Sequence, residues 1–217
     1  METEIIPADP DRPDPSTIAH AAELLERGAV VAFPTETVYG LGCLPEHGEA
    51  VARIYTIKDR PPDRPLALYL ASPSEIARHA GRIPAEAYRL IERFLPGPLT
   101  VILEGQHGSK TGFRVSPHRV LTALIEAVGR PLVGTSANLS GSPSPTTAAE
   151  VVAAFSGRIE AVLDAGKTEL GTDSTVIDCT SSPPVIVRKG VITAAEIASV
   201  LGVPIERVRQ RSGPRPS

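Results

Sequence analysis

The residues best suited to chemistry in this 217-residue chain gather in a few short stretches. The first is VAFPTETVYGLG at 31–42, backed by KDRPPDRP at 58–65. Its apolar run ends on Pro34, which cannot continue a central strand. Thr35 and Thr37 then flank Glu36, and Tyr39 precedes Gly40 and Gly42. Hydroxyls donate and accept, and glycines let backbone come close to a ligand. Lys58, Arg60 and Arg64 lie in a proline-stiffened segment suited to an anion such as a polyphosphate. The second is GTSANLSGSPS at 134–144, where small residues leave N–H groups accessible ahead of a helix. The third is GTDST at 171–175 together with Arg188. Singly, each piece reads equally well as a turn, a plain surface loop or a solvated cation. The first stretch and its cationic partner together point to a site.

Other chemistries lack their residues. There is no GxxxxGK[ST], and Gly40-Leu41-Gly42 does not extend to GxGxxG. HExxH, GxSxG and Cys/His ligand clusters are missing, and His20, His47, His79, His107 and His118 share no spacing. Net charge is −3 and aromatics are 4% with no Trp, which disfavours stacking platforms for single-stranded nucleic acid. Cys43 and Cys179 stand far apart and are expected as reduced thiols. The acidic, proline-broken start is unlike a signal peptide, and no apolar run reaches the roughly 20 residues that span a bilayer. A cytoplasmic, soluble protein is expected.

The elements that must position these residues follow from periodicity and caps. Strands are expected at 4–7, 29–33, 66–70, 99–103, 112–116, 131–134, 160–164, 174–179 and 185–188. Helices are expected after Ser16 to Gly28, at 47–58, from a Ser72/Glu75 capping box, and at 84–94 and 117–128. Two more follow at 148–155, capped by Thr147 and Glu150, and 193–201, capped by Thr193 and Glu196. The segment 105–111 reads as polar and mobile, and 204–217, with Arg207, Arg209, Arg211 and Arg215, as a frayed basic tail. Strands alternate with helices early and follow one another late, so an α/β fold with a mixed sheet is expected.

The chain resembles the YrdC-like threonylcarbamoyl-adenylate synthases. FPTETVYGLG (33–42), KDRPPDRPL (58–66), PGPLTVIL (96–103), FRVSPH (113–118), TSANLSGSPSPT (135–146), GTDSTVID (171–178) and PPVIVRKG (183–190) carry the resemblance in family order. It implies an open twisted mixed β-sheet with packed helices, a YrdC-like (DHBP-synthase-like) domain at 16–200. An N-terminal strand and connector at 1–15 and the basic tail flank it. It also implies formation of threonylcarbamoyl-AMP and pyrophosphate from L-threonine, bicarbonate and ATP, for threonylcarbamoyladenosine in tRNA. The implied catalytic residues are Lys58, Arg60, Ser136 and Asn138. Thr37, Arg114, Gly134 (by its backbone) and Ser174 would hold threonine, and Arg60, Arg64, Ser136, Ser144 and Arg188 the nucleotide. Mg2+ would ride on the ATP phosphates without a protein cage. The implied partners are downstream threonylcarbamoyl-transfer proteins, with at most weak tRNA contact and no membrane.

Three departures accompany the resemblance. Tyr69 stands where many members have a histidine near threonine, and Lys110 where some place a threonine near ATP. Larger members continue through a linker into a second domain, so 105–111 or the arginine tail is expected to close this site. Two alternatives stay open: an RNA-binding or ribosome-associated factor of this fold, and a paralogue acting on another carbamoyl substrate.

Overall fold

The computed structural model describes residues 2–106 and 108–210. Among them twelve strands form one mixed sheet. They are β1 (Glu4–Pro7), β2 (Val31–Phe33), β3 (Gly40–Cys43), β4 (Ala67–Tyr69), β5 (Ala80–Arg82) and β6 (Leu99–Gly105). Then come β7 (Lys110–Arg114), β8 (Leu132–Ser136), β9 (Ala161–Asp164), β10 (Thr175–Asp178), β11 (Val185–Arg188) and β12 (Arg209–Gln210). Their order is β1-β9-β2-β3-β8-β4-β7-β6-β10-β11-β12, with β5 paired to β6. The helices are α1 (Pro15–Glu26), α2 (Gly48–Ile57), α3 (Ile76–His79), α4 (Ala85–Phe94), α5 (Arg119–Val128), α6 (Ala148–Phe155) and α7 (Ala194–Leu201).

Strand alternation divides the core. Val31 and Phe33 point into a cluster with α1 and α5, while Val30 and Ala32 point to the other face and pack with α2 and α6. A third cluster joins α4 and α7 to β6, β10 and β11. Registered neighbours share a face. Gly42, Gly134, Ala67 and Gly112 therefore form a row of small residues across β3, β8, β4 and β7. Tyr69 and Leu132, on the same face, lie in the α1/α5 core, so those helices cover part of it.

Sterics enforce the smallness of that row at Gly134 but not at Gly112. A Cβ on Gly134 would sit 2.6 Å from the Leu41 carbonyl oxygen, which is backbone and cannot yield. One on Gly112 would meet the Thr100 methyl at 3.4 Å and Ala67 Cβ at 3.6 Å, ordinary contacts. In urea denaturation, Gly134→Ala should cost about 1–3 kcal/mol as overpacking. Gly112→Ala should stay within about 0.5 kcal/mol of the parent. Equal losses would contradict this account.

Several expectations are corrected here. The loop expected after Pro34 is interrupted by β3, whose glycines are buried under Phe33 instead of meeting a ligand: a Cβ on Gly40 would lie 2.4 Å from Phe33 Cε2. Helix α1 is capped by Asp14, which accepts from the Ser16 and Thr17 N–H groups, because Pro15 occupies the first turn. Ser72 makes no backbone cap; its hydroxyl meets Glu75 Oε1 at 3.2 Å and a single 3₁₀ turn precedes α3. Within 105–111, Gly105 belongs to β6 and Lys110 to β7, and the Gly105 N–H donates to the Ser109 carbonyl at 2.8 Å, while His107 lies outside the described residues. Of the tail, 205–207 is a 3₁₀ turn and β12 pairs with β11, so this part is docked and not frayed. Arg211 and Arg215 lie outside the described residues. Both Thr/Glu capping boxes form as read.

Candidate active site

Arg114 stands at the end of β7, on the same face as Tyr69 and Thr100 by register. Its guanidinium pairs with the Glu36 carboxylate and reaches Thr37 Oγ1 at 3.4 Å. Glu36 also accepts from Ser116 Oγ, whose own oxygen takes the His118 backbone N–H at 3.2 Å. Thr37 Oγ1 is 2.8 Å from Thr35 Oγ1. All of these side chains except His118 are buried, so the ion pair is desolvated and directional.

A second group lies across Thr100. Ser174 Oγ is 2.9 Å from Thr100 Oγ1 and receives Arg188 at 2.9 Å. Arg188 donates as well to the Ser174 carbonyl at 2.8 Å and lies 3.7 Å from Asp173 Oδ1. Ser144 Oγ donates to Asp173 at 3.1 Å, which ties the loop after β8 to the loop before β10.

The third group surrounds Lys58, the residue that ends α2. Its Nζ donates to the Ser136 carbonyl at 2.6 Å and to the Asn138 carbonyl, and Ser136 Oγ donates to Asn138 Oδ1 at 2.6 Å. Lys58 is 2% exposed. Burial drives its pKa down to about 7; Arg60 pushes the same way, and Asp173 opposes. Arg60 spends part of its donor fork on structure, giving Nε to the Arg64 carbonyl, one terminal nitrogen to the Pro65 carbonyl, both at 2.9 Å, and the other to Thr135 Oγ1 at 3.3 Å. Arg64 closes the same turn through its backbone N–H to the Pro61 carbonyl at 3.1 Å.

These groups share one locality. Lys58 feels Asp173, and Arg60 feels Arg188. Burial raises the pKa of Tyr69, while Arg114 and Arg188 lower it and Glu36 and Asp173 raise it. The structure thus brings Lys58, Arg60, Ser136, Asn138, Thr37, Arg114, Ser174, Ser144 and Arg188 into one locality. Gly134 supplies floor in place of a side chain, and Arg64 stands on the bordering turn. Tyr69 is buried edge-on to Phe33, ring centroids 5.3 Å apart. Lys110 shares the face and pairs with Asp178 at 2.8 Å.

Sequence reasoning gave Glu36 and Asp173 no role beyond a turn or surface loop, and missed Ser116 and Thr100. Nothing in their local spacing marks them; the partners come from strands far along the chain. The cysteines are free and buried in different cores, and burial lifts both thiols to about 12. Among the described residues no cluster of three His, Cys, Asp or Glu side chains could hold a metal ion. No helix among them is long and apolar enough to cross a membrane.

A groove of about 560 Å³ between α4, α7 and Pro183 lies away from these groups and carries none of them. A smaller one of about 270 Å³ adjoins the site through Asn138 and Ser144. The arrangement of convergent cations and hydroxyls can bind anions and stabilise charge developing on phosphorus.

Comparison with known proteins bears on which reaction this serves. The Sua5/YciO/YrdC family model, described as telomere recombination, matches residues 23–190. The threonylcarbamoyl-AMP synthase of Pyrococcus abyssi is 44% identical over 191 residues, covering 84% of this chain and 56% of that protein. The Bacillus subtilis protein of the same name is 43% identical over 195 residues, covering 85% and 56%. The chain thus spans little more than half the length of these curated relatives. The crystal structure of P. abyssi Sua5 complexed with L-threonine superposes with a TM-score of 0.89 at 40% identity, covering 96% of this chain and 63% of that one.

Proposed function

Because the chain belongs to the Sua5/YciO/YrdC family, we propose that it is a threonylcarbamoyl-AMP synthase acting in the cytoplasm on L-threonine, bicarbonate and MgATP. The observation that carries this reading is the meeting of two sets of cations and hydroxyls in one locality. One is Arg114 with Thr37, whose guanidinium and hydroxyl suit an amino-acid carboxylate. The other is Lys58, Arg60, Arg188, Ser136, Asn138 and Ser144, whose cations and hydroxyls suit a polyphosphate. The relatives' names and the threonine complex of one of them support the same choice.

In the reaction the threonine nitrogen bonds to the bicarbonate carbon and water leaves. An oxygen of the new carbamate then attacks the α-phosphorus as the bond to the pyrophosphate oxygen breaks. Arg114, Thr37, Ser174 and the Gly134 backbone hold threonine; Arg60, Arg64, Arg188, Ser136 and Ser144 hold the nucleotide, with magnesium travelling on its phosphates. Lys58 and Asn138 fix the charged centre. Positioning and charge stabilisation suffice for in-line displacement, so no covalent nucleophile is required. The product passes to the proteins that transfer threonylcarbamoyl to tRNA, and tRNA itself touches this chain weakly at most.

Tyr69, at the foot of the Arg114 group, favours one second reading, a different carbamoyl substrate. Purified protein given MgATP, threonine and bicarbonate should release pyrophosphate and form an adenylate that decays to AMP, only with both co-substrates present. ATP binding without threonine-dependent turnover would move the assignment to another substrate.

A further inference from the structure

We infer that Glu36 is the positioning residue of this site, setting the orientation of Arg114 from a carboxylate held by Ser116 on a backbone held by Leu170. One oxygen holds the Arg114 guanidinium and the other the Ser116 hydroxyl. The Glu36 carbonyl accepts the Leu170 N–H at 2.9 Å, which ties the residue to the loop before β10. Ser116 is fixed in turn by the His118 N–H at the start of α5. Two separate segments, 114–118 and the loop carrying Leu170, therefore determine where Glu36 stands, and it is 5% exposed.

The consequence is electrostatic. Arg114, 2% exposed and paired with Glu36, presents no net charge together with its partner. A carboxylate ligand is thus recognised by the direction of the remaining N–H groups and not by bulk attraction. A planar guanidinium holds that direction only if one edge is pinned, and Glu36 pins it. Arg188 is balanced in the same way by Asp173, so long-range attraction falls to Arg60 and Lys58. This rests on the reading of Arg114 as the group that holds threonine.

The test compares Glu36→Gln and Ser116→Ala with the parent enzyme by steady-state kinetics, varying threonine and ATP separately, with melting curves alongside. Glu36→Gln keeps the size and removes the charge; it should raise the threonine KM about tenfold or more and leave the ATP KM within about twofold. Ser116→Ala, which keeps the ion pair and removes its anchor, should raise the threonine KM about threefold. A purely structural role would lower the melting temperature and leave both KM values of the folded enzyme unchanged. An unchanged or lower threonine KM in both variants overturns the inference while the functional reading stands. Parent enzyme without threonine-dependent pyrophosphate overturns both.

Discussion

Lys58→Met will lower turnover by about 10²–10³-fold, the scale at which single preorganised donors act on developing charge. The ammonium is the only cation buried between the Ser136 and Asn138 carbonyls, and those residues open the loop that carries Ser144. Methionine keeps the length and loses the donor. Stability should change little, because relief of a buried charge offsets the carbonyls' lost partner. Retention of turnover within a few-fold would remove Lys58 from the mechanism.

Lys58 also gives the enzyme a pH signature. With a pKa near 7 in the free protein, the cation is lost as pH rises through 7. The kcat/KM for ATP should therefore fall above pH 7, and the limb in kcat should lie higher, because bound phosphates favour the charged amine. The stability effect has the opposite sign. The folded pKa lies below the ordinary lysine value of about 10.4, so the unfolded chain binds more protons between these values, and stability gains with pH across that window. Both slopes should vanish in Lys58→Met.

Phe33→Ala has the largest effect expected on folding, about 3–5 kcal/mol for a fully buried ring. That is a large part of the roughly 5–15 kcal/mol that holds a domain together. The ring lies over Gly40 and Gly42 and meets Tyr69 edge-on. Gly40→Ala should be destabilising by about 1–3 kcal/mol while Phe33 is present. In a Phe33→Leu background the added methyl finds room and costs less. A double-mutant cycle from chemical denaturation reads this coupling; costs that add to within about 0.5 kcal/mol would show that ring and glycine do not share the space.

The same residues show what was legible in the chain. Local signals were read correctly where structure is local: the Thr147 and Thr193 capping boxes, the ends of α5 at Val128 and α7 at Leu201, and β11 to the residue. Strand β3 was hidden, because GLGC shows no alternation of polar and apolar residues; its glycines answer to a ring on the neighbouring strand. Glu36 looked like a turn residue, because its partner Arg114 lies on a strand far along the chain. Arg114 and Ser174 were reached through the family resemblance, and no spacing rule would have joined them to Lys58. Fold class follows from patterning, whereas a site assembled from distant strands does not.

The strand order also governs when this site can come into being. Gly40 pairs with Ser136, Glu4 with Ala161, and Ser144 meets Asp173, so its walls are joined by contacts distant in the chain. Loop-closure entropy must be met before such contacts reward it, which places folding at the slow end for its size. On a ribosome, β2 and β3 emerge well before β8 and β9, the strands that flank them, and wait with open edges. The growing chain holds no weak early version of the anion site. It holds a period of exposure to chaperones and to wrong partners, which ends only when Arg188 has followed Ser174 out of the tunnel.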